Sequence, residues 1–95
     1  MKPEIRKVLV CSTAHLTETV ATKFSEETYS PDGIVFDNVE YGYWIRYFQS
    51  KDMADRRLWP TTLRKVVEIA EQNECTMILF DRDGFTLDGV QTFDW

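Results

Sequence analysis

The chain is 95 residues long, which suffices for one compact domain spanning residues 1–95 and is too short for two. It is 43% hydrophobic and 14% aromatic, a composition that excludes a disordered chain. Sixteen acidic against 11 basic residues give a formal net charge of -5, so the acidic surface repels phosphate backbones and excludes general nucleic-acid binding. No segment approaches the roughly 18 apolar residues of a membrane helix and no signal peptide is evident, which favours a cytoplasmic location without membrane contact.

The first half of the chain predicts a strand, a helix and a hairpin. Residues 8–11 form a continuous apolar run, which is typical of a central strand covered on both faces. A threonine followed by regularly spaced apolar residues predicts a helix over about 17–28. Residues 34–39 and 43–48 are rich in β-branched and aromatic side chains, and the glycine-containing segment 40–42 between them predicts a tight reversal.

The middle of the chain predicts a second helix and a further strand. Residues 49–60 are mostly polar and charged, so we expect a loop or a single helical turn. Thr61 and Thr62 are expected to cap a helix that extends to about Asn73, because the apolar residues that follow fall on one face. Residues 76–80 form a second apolar run of strand length.

The C-terminal segment predicts a β-hairpin, because an Asp-Gly pair at 88–89 is flanked by 85–87 and 90–93. The element order is therefore β-α-β-β-α-β with an added hairpin, an α/β class. We favour a ferredoxin-like sandwich in which strand directions alternate and the helices cover one face. The alternative is a mixed sheet in which strands 8–11 and 76–80 run parallel.

The most apolar strands and the helix stripe supply the expected core, and burial should keep both cysteines as free thiols in a reducing compartment. The core residues are Val10, Val66, Ile78 and Phe80, and the cysteines are Cys11 and Cys75.

Two polar clusters follow the apolar strands. Ser12 and the single histidine, His15, lie at the exit of the first strand, where open α/β sheets place ligand-binding groups. Asp81-Arg82-Asp83-Gly84 resembles the D-x-D-G-T motif of haloacid-dehalogenase phosphatases, in which the first aspartate is the nucleophile and the second an acid or base. Phe85 stands where that family has threonine, which puts the resemblance in doubt.

Both clusters also have a simpler structural interpretation. Ser12 caps a helix and His15 is a partly exposed loop residue, while Asp81 to Gly84 form a turn in which aspartates bond their own backbone and Gly84 supplies a positive φ. The two clusters could act together only if their strands run parallel, since antiparallel strands place them at opposite ends of the sheet. Two cysteines far apart and one histidine do not form a zinc ligand set, so no metal or cofactor is expected.

Aromatic residues concentrate on the central hairpin. Strand alternation puts Tyr43, Ile45 and Tyr47 on one face and Trp44, Arg46 and Phe48 on the other. Because Tyr and Trp are enriched in binding hot spots, we expect a protein-binding surface here. Its candidate residues are Tyr41, Tyr43, Trp44 and Tyr47.

Four segments along the chain resemble one family: V-L-V-C-S-T-A-H-L at 8–16, V-E-Y-G-Y-W-I at 39–45, I-L-F-D-R-D-G at 78–84 and T-F-D-W at 92–95. The family consists of small bacterial proteins classed as a domain of unknown function and associated with plasmids and phage-like elements. The resemblance implies a mobile-element context and carries over no functional residues.

These observations leave two classes of function. The favoured one is a non-catalytic accessory or inhibitor protein that binds another protein, or a second copy of itself, through the aromatic hairpin face or an acidic edge. The alternative is a small hydrolase-like enzyme or ligand-binding domain that uses Ser12, His15, Asp81 and Asp83.

Overall fold

A computed structural model describes residues 3–27, 33–48 and 56–94, which form four strands, two α-helices and two short 3-10 turns. The strands are β1 (Val8–Ser12), β2 (Ile34–Val39), β3 (Gly42–Phe48) and β4 (Met77–Asp81), the helices are α1 (Glu18–Ser25) and α2 (Thr61–Gln72), and the 3-10 turns are Thr13–His15 and Arg56–Leu58. Residues 49–55 of the segment predicted as a loop or helical turn lie outside the described residues, and its described part contains the second 3-10 turn. No described helix is long and apolar enough to cross a bilayer.

The four strands form one mixed sheet in the order β1-β4-β3-β2. The predicted β-α-β-β-α-β order and α/β class are confirmed, and such a sheet with two helices is compatible with a ferredoxin-like fold. The strand directions are those of the alternative arrangement, because β1 and β4 are parallel neighbours. β3 is antiparallel to both β4 and β2. The strict alternation of directions therefore does not extend to β1 and β4, since β4 is inserted between β1 and β3.

Both helices pack on one face of the sheet, where alternate strand residues are buried in a single core. Ile78 and Phe80 of β4 and Val66 of α2 are fully buried, as predicted. The expectation for Val10 is wrong, because its side chain is 48% exposed. β1 is an edge strand covered on one face only, so Cys11 enters the core and Val10 points away from it.

The two helices begin differently from one another. Thr17 caps α1 as predicted, since its hydroxyl accepts the Val20 N–H at 3.2 Å. The helix ends at Ser25, earlier than expected. Thr61 and Thr62 are not caps but the first helical residues of α2, which Pro60 precedes without a side-chain hydrogen bond. Thr62 is buried against the core instead.

The predicted hairpin of β2 and β3 is present, but a bulge interrupts its register. Val35 pairs with Tyr47 and Phe36 pairs with Ile45, so β3 contributes one extra residue, Arg46, between these pairs. Beyond the bulge Phe48 pairs with Ile34 and packs against the core. Phe48 therefore does not share the face of Trp44, as simple alternation predicted.

The C-terminal hairpin is not formed, and residues 82–94 contain no strand. A turn is present at Asp88-Gly89, where the Val90 N–H donates to the Leu87 carbonyl and Gly89 has a φ of 78°. Asp88 lacks the positive φ that a hairpin turn of type I′ requires, so the two arms diverge. Their backbone groups bond to residues 12–15 instead of to each other.

Candidate functional site

Parallel pairing brings the two predicted polar clusters to one edge of the sheet. Ser12 and Asp81 are register partners at the carboxyl ends of β1 and β4. The turn between β2 and β3 reaches the same edge, because Gly42 pairs with Asp81. In open α/β sheets this edge is where ligands bind.

His15 is fully buried, not partly exposed as predicted, and both of its ring nitrogens are engaged by backbone. Nε2 accepts the Leu87 N–H at 2.8 Å, and Nδ1 lies 2.9 Å from the Gln91 carbonyl oxygen. Because Nε2 accepts, Nδ1 carries the proton and donates it to Gln91, which defines the neutral ring. In this arrangement neither nitrogen is available to take a proton from Ser12.

Ser12 and Asp81 also spend their side chains on local backbone. The Ser12 hydroxyl accepts the Ala14 N–H at 3.0 Å and so caps the first 3-10 turn. An Asp81 carboxylate oxygen accepts the Asp83 N–H at 2.8 Å, which confirms the predicted turn. Within the described ranges, no three His, Cys, Asp or Glu side chains are grouped closely enough to hold a metal ion.

Gly84 completes that turn for a reason other than the one predicted. Its φ is not positive, as it is at Gly33 and Gly89. A Cβ at Gly84 would instead lie 2.7 Å from the backbone carbonyl of Cys11. The glycine is therefore required by the close approach of the β4 exit to β1.

Both cysteines are free and buried, in agreement with the sequence analysis. Burial of Cys11 raises the pKa of its thiol to about 12, because the interior disfavours the thiolate. A protonated, fully buried thiol is a poor nucleophile, so Cys11 has a packing role.

A cleft of about 650 Å³ opens at the carboxyl edge of the sheet. Residues 12–14, residues 38–40, Tyr43, Arg82 and Phe93 all line it. The lining includes Ser12 but none of His15, Asp81 and Asp83. Sequence analysis missed Arg82, Thr13 and Phe93 as cleft residues, and the only available signal was their position beside the two strand exits.

The four aromatic candidates of the hairpin do not form one surface. Tyr41 is 45% exposed in the turn. Tyr43 faces α1, where its hydroxyl donates to the Ala21 carbonyl at 2.9 Å and its ring centroid lies 5.6 Å from that of Phe24. Trp44 is half-buried on the opposite face. The side chain of Tyr47 lies outside the described part of the chain.

The sheet face opposite the helices carries a row of apolar residues. Register places Val10 beside Leu79 and Leu79 beside Trp44, so the row crosses β1, β4 and β3. Val35 of β2 is 41% exposed on this face, and Met77 of β4 is half-buried there. Beside the row, Arg46 and Asp37 form an ion pair. We call these five apolar residues, Val10, Val35, Trp44, Met77 and Leu79, the open face.

No curated protein and no solved structure matches the chain. A family model described as the C-terminal domain of a family of unknown function, DUF5983, matches residues 8–95. The match covers all four strands and both helices, from the start of β1 through the cleft to the C-terminal segment. The chain therefore belongs to the DUF5983 family of unknown function.

Proposed function

We propose that this domain is an accessory protein that binds another protein through the open face of its sheet. The observation that carries the proposal is the row of Val10, Leu79 and Trp44, which lies on the face away from both helices. Contiguous apolar surface that the fold itself leaves partly exposed is typical of protein interaction sites.

The composition of the open face fits an interface. Trp44 lies in the row between Leu79 and Asp37 and presents a large ring, the type of residue that dominates binding energy. The ion pair of Arg46 and Asp37 flanks the row, and both side chains are about half exposed. An apolar centre with a polar rim is the usual anatomy of a protein interface.

The charge of the chain indicates the partner's chemistry. A formal net charge of -5 favours a partner with a basic surface around an apolar patch. A basic partner is attracted at long range and then buries the apolar row. A second copy of the chain would carry the same negative charge and would be repelled.

A bacterial cytoplasm and a plasmid or phage-like element form the proposed setting, on the strength of the family resemblance. The geometry gives less support to a hydrolase, because His15 is bonded to the backbone of Leu87 and Gln91 and does not face Ser12. A non-catalytic role is therefore the better interpretation of the strand exits.

The test is site-specific photo-crosslinking in cells of the native host. A photoreactive amino acid at Val10 should crosslink a basic protein, whereas the same residue at Leu58 should not. Leu58 is a matched control because it is apolar, 76% exposed and lies in the second 3-10 turn, away from the open face. Binding of the purified partner should weaken about tenfold or more in Val10→Lys and less than about twofold in Leu58→Lys.

Three results would contradict the proposal. The first is equal crosslinking from Val10 and Leu58, and the second is crosslinking of Val10 only to another copy of the chain. The third is a purified partner whose affinity changes equally in the two lysine variants.

A further inference from the structure

We propose that the cleft at the carboxyl edge of the sheet binds a small organic anion, and that Arg82 recognises its carboxylate or phosphate group. This inference does not depend on protein binding, because none of the five open-face residues lines the cleft.

Arg82 is held in place without using up its charge. Its backbone N–H donates to the Tyr41 carbonyl at 2.9 Å, and its Nη2 donates to the Glu40 carbonyl at 2.6 Å. Among the residues that the structure describes, no carboxylate lies within ion-pair distance of this guanidinium, whereas Arg46 and Arg56 are paired with carboxylates. A planar guanidinium with unused donors is suited to bidentate recognition of a carboxylate or a phosphate.

The opposite side of the cleft supplies ordered hydroxyl groups. The Tyr43 hydroxyl donates to the Ala21 carbonyl, so the Ser25 hydroxyl, 2.6 Å away, donates to the Tyr43 oxygen. The orientation of both side chains is thus fixed before any ligand arrives. Thr13 adds a further hydroxyl to the lining.

Apolar lining defines the rest of the ligand. Phe93, Val39 and Ala14 border the same cleft. A volume of about 650 Å³ lies within the usual range of small-molecule sites, which are mostly apolar with a few placed polar groups. The matching ligand has an anionic group for Arg82 and an apolar body against Phe93.

The position of the cleft supports the same conclusion. It lies outside the carboxyl ends of two parallel strands, β1 and β4, beside the point where β4 meets the antiparallel β3. Small ligands of open α/β sheets bind at such edges.

The experiment is an NMR titration of the full chain, labelled with ¹⁵N, using benzoate, phenyl phosphate and the neutral benzamide as probes. At least one anion should shift the amide signals of Thr13, Arg82 and Phe93 in a saturable manner, and benzamide should not. The stronger anion identifies the preferred head group. Arg82→Gln should weaken binding about tenfold or more, because it removes hydrogen bonds to a charged group.

Arg57→Gln is the matched control, because Arg57 is an exposed arginine that does not line the cleft. It should leave the affinity unchanged. Arg82→Lys keeps the charge but removes the planar fork, so its affinity should lie between those of the wild type and Arg82→Gln, and it serves if Arg82→Gln is poorly folded. The proposal is overturned if no anion gives saturable shifts, if benzamide binds as strongly as the anions, or if the Arg82 and Arg57 variants behave alike.

Discussion

The buried thiol of Cys11 gives the protein a pH dependence whose sign can be worked out. Below pH 9, the ordinary pKa of the group, the thiol is protonated in the folded and the unfolded states alike. Between pH 9 and about 12 the unfolded chain loses this proton and the folded protein keeps it. The free energy of unfolding should therefore fall as the pH rises through this window.

Cys11→Ala removes this contribution, so its stability should decline less steeply than that of the wild type between about pH 8 and about pH 10.5. Urea unfolding of both proteins at the two pH values measures the difference, and the lysines and tyrosines that also titrate there are common to both proteins. Parallel declines would contradict the prediction. Thiol titration of the native protein should also leave Cys11 unreacted.

Single residues also show where sequence reasoning stops. Sequence analysis placed Gly42 and Gly84 correctly in turns but attributed the wrong requirement to Gly84. At both positions a Cβ would meet a neighbouring strand, the Phe80 carbonyl at Gly42 and the Cys11 carbonyl at Gly84. Such approaches join residues far apart in the chain, so no local pattern reveals them. The positive φ of Gly89, by contrast, belongs to a local turn and was predictable.

At the level of strands, the position within the sheet decides what an apolar residue contributes to stability. Ile78 of β4 is fully buried, whereas Val10 of β1 is 48% exposed. Ile78→Ala should cost about 2–4 kcal/mol through lost burial and the cavity left behind, and Val10→Ala should cost less than about 1 kcal/mol. Urea unfolding of the two variants gives the comparison, with the exposed Gln72→Ala as a surface control. Equal shifts in the two midpoints would show that the open face is covered in solution.

Periodicity and turn composition predicted the existence and type of both helices, the hairpin and both apolar strands. They could not predict the order or direction of the strands. Residues 8–11 are all apolar, so nothing in them distinguishes a central strand from an edge strand with one open face. The direction of β4 relative to β1 depends on a long connection between β3 and α2 that has no directional signature. The cleft depends on that direction, which explains why Arg82 and Phe93 were not recognised.

Over the whole molecule, the C-terminal segment is tied to the β1 end by a short series of polar contacts. The Ser12 N–H donates to the Phe85 carbonyl at 2.9 Å, and the Phe93 N–H donates to the Ala14 carbonyl at 2.8 Å. His15 lies between these two bonds and holds Leu87 and Gln91. Val90 is buried in the core, so the segment contributes packing as well as hydrogen bonds. His15 is therefore better explained as the anchor of this segment than as a catalytic base.

His15→Phe tests this role, because the substitution keeps an aromatic ring in the core and removes both ring nitrogens. The Leu87 N–H and the Gln91 carbonyl would lose their partners, which should lower the free energy of unfolding by about 2–4 kcal/mol. His15→Gln retains a donor and an acceptor and should recover part of that loss. Amide hydrogen exchange gives the specific readout: Leu87 and Phe93 should exchange faster in His15→Phe, while Ile78 at the centre of the sheet should stay protected. Unchanged exchange at Leu87 and Phe93, together with an unchanged urea midpoint, would show that the segment is held by Val90 and its backbone bonds alone.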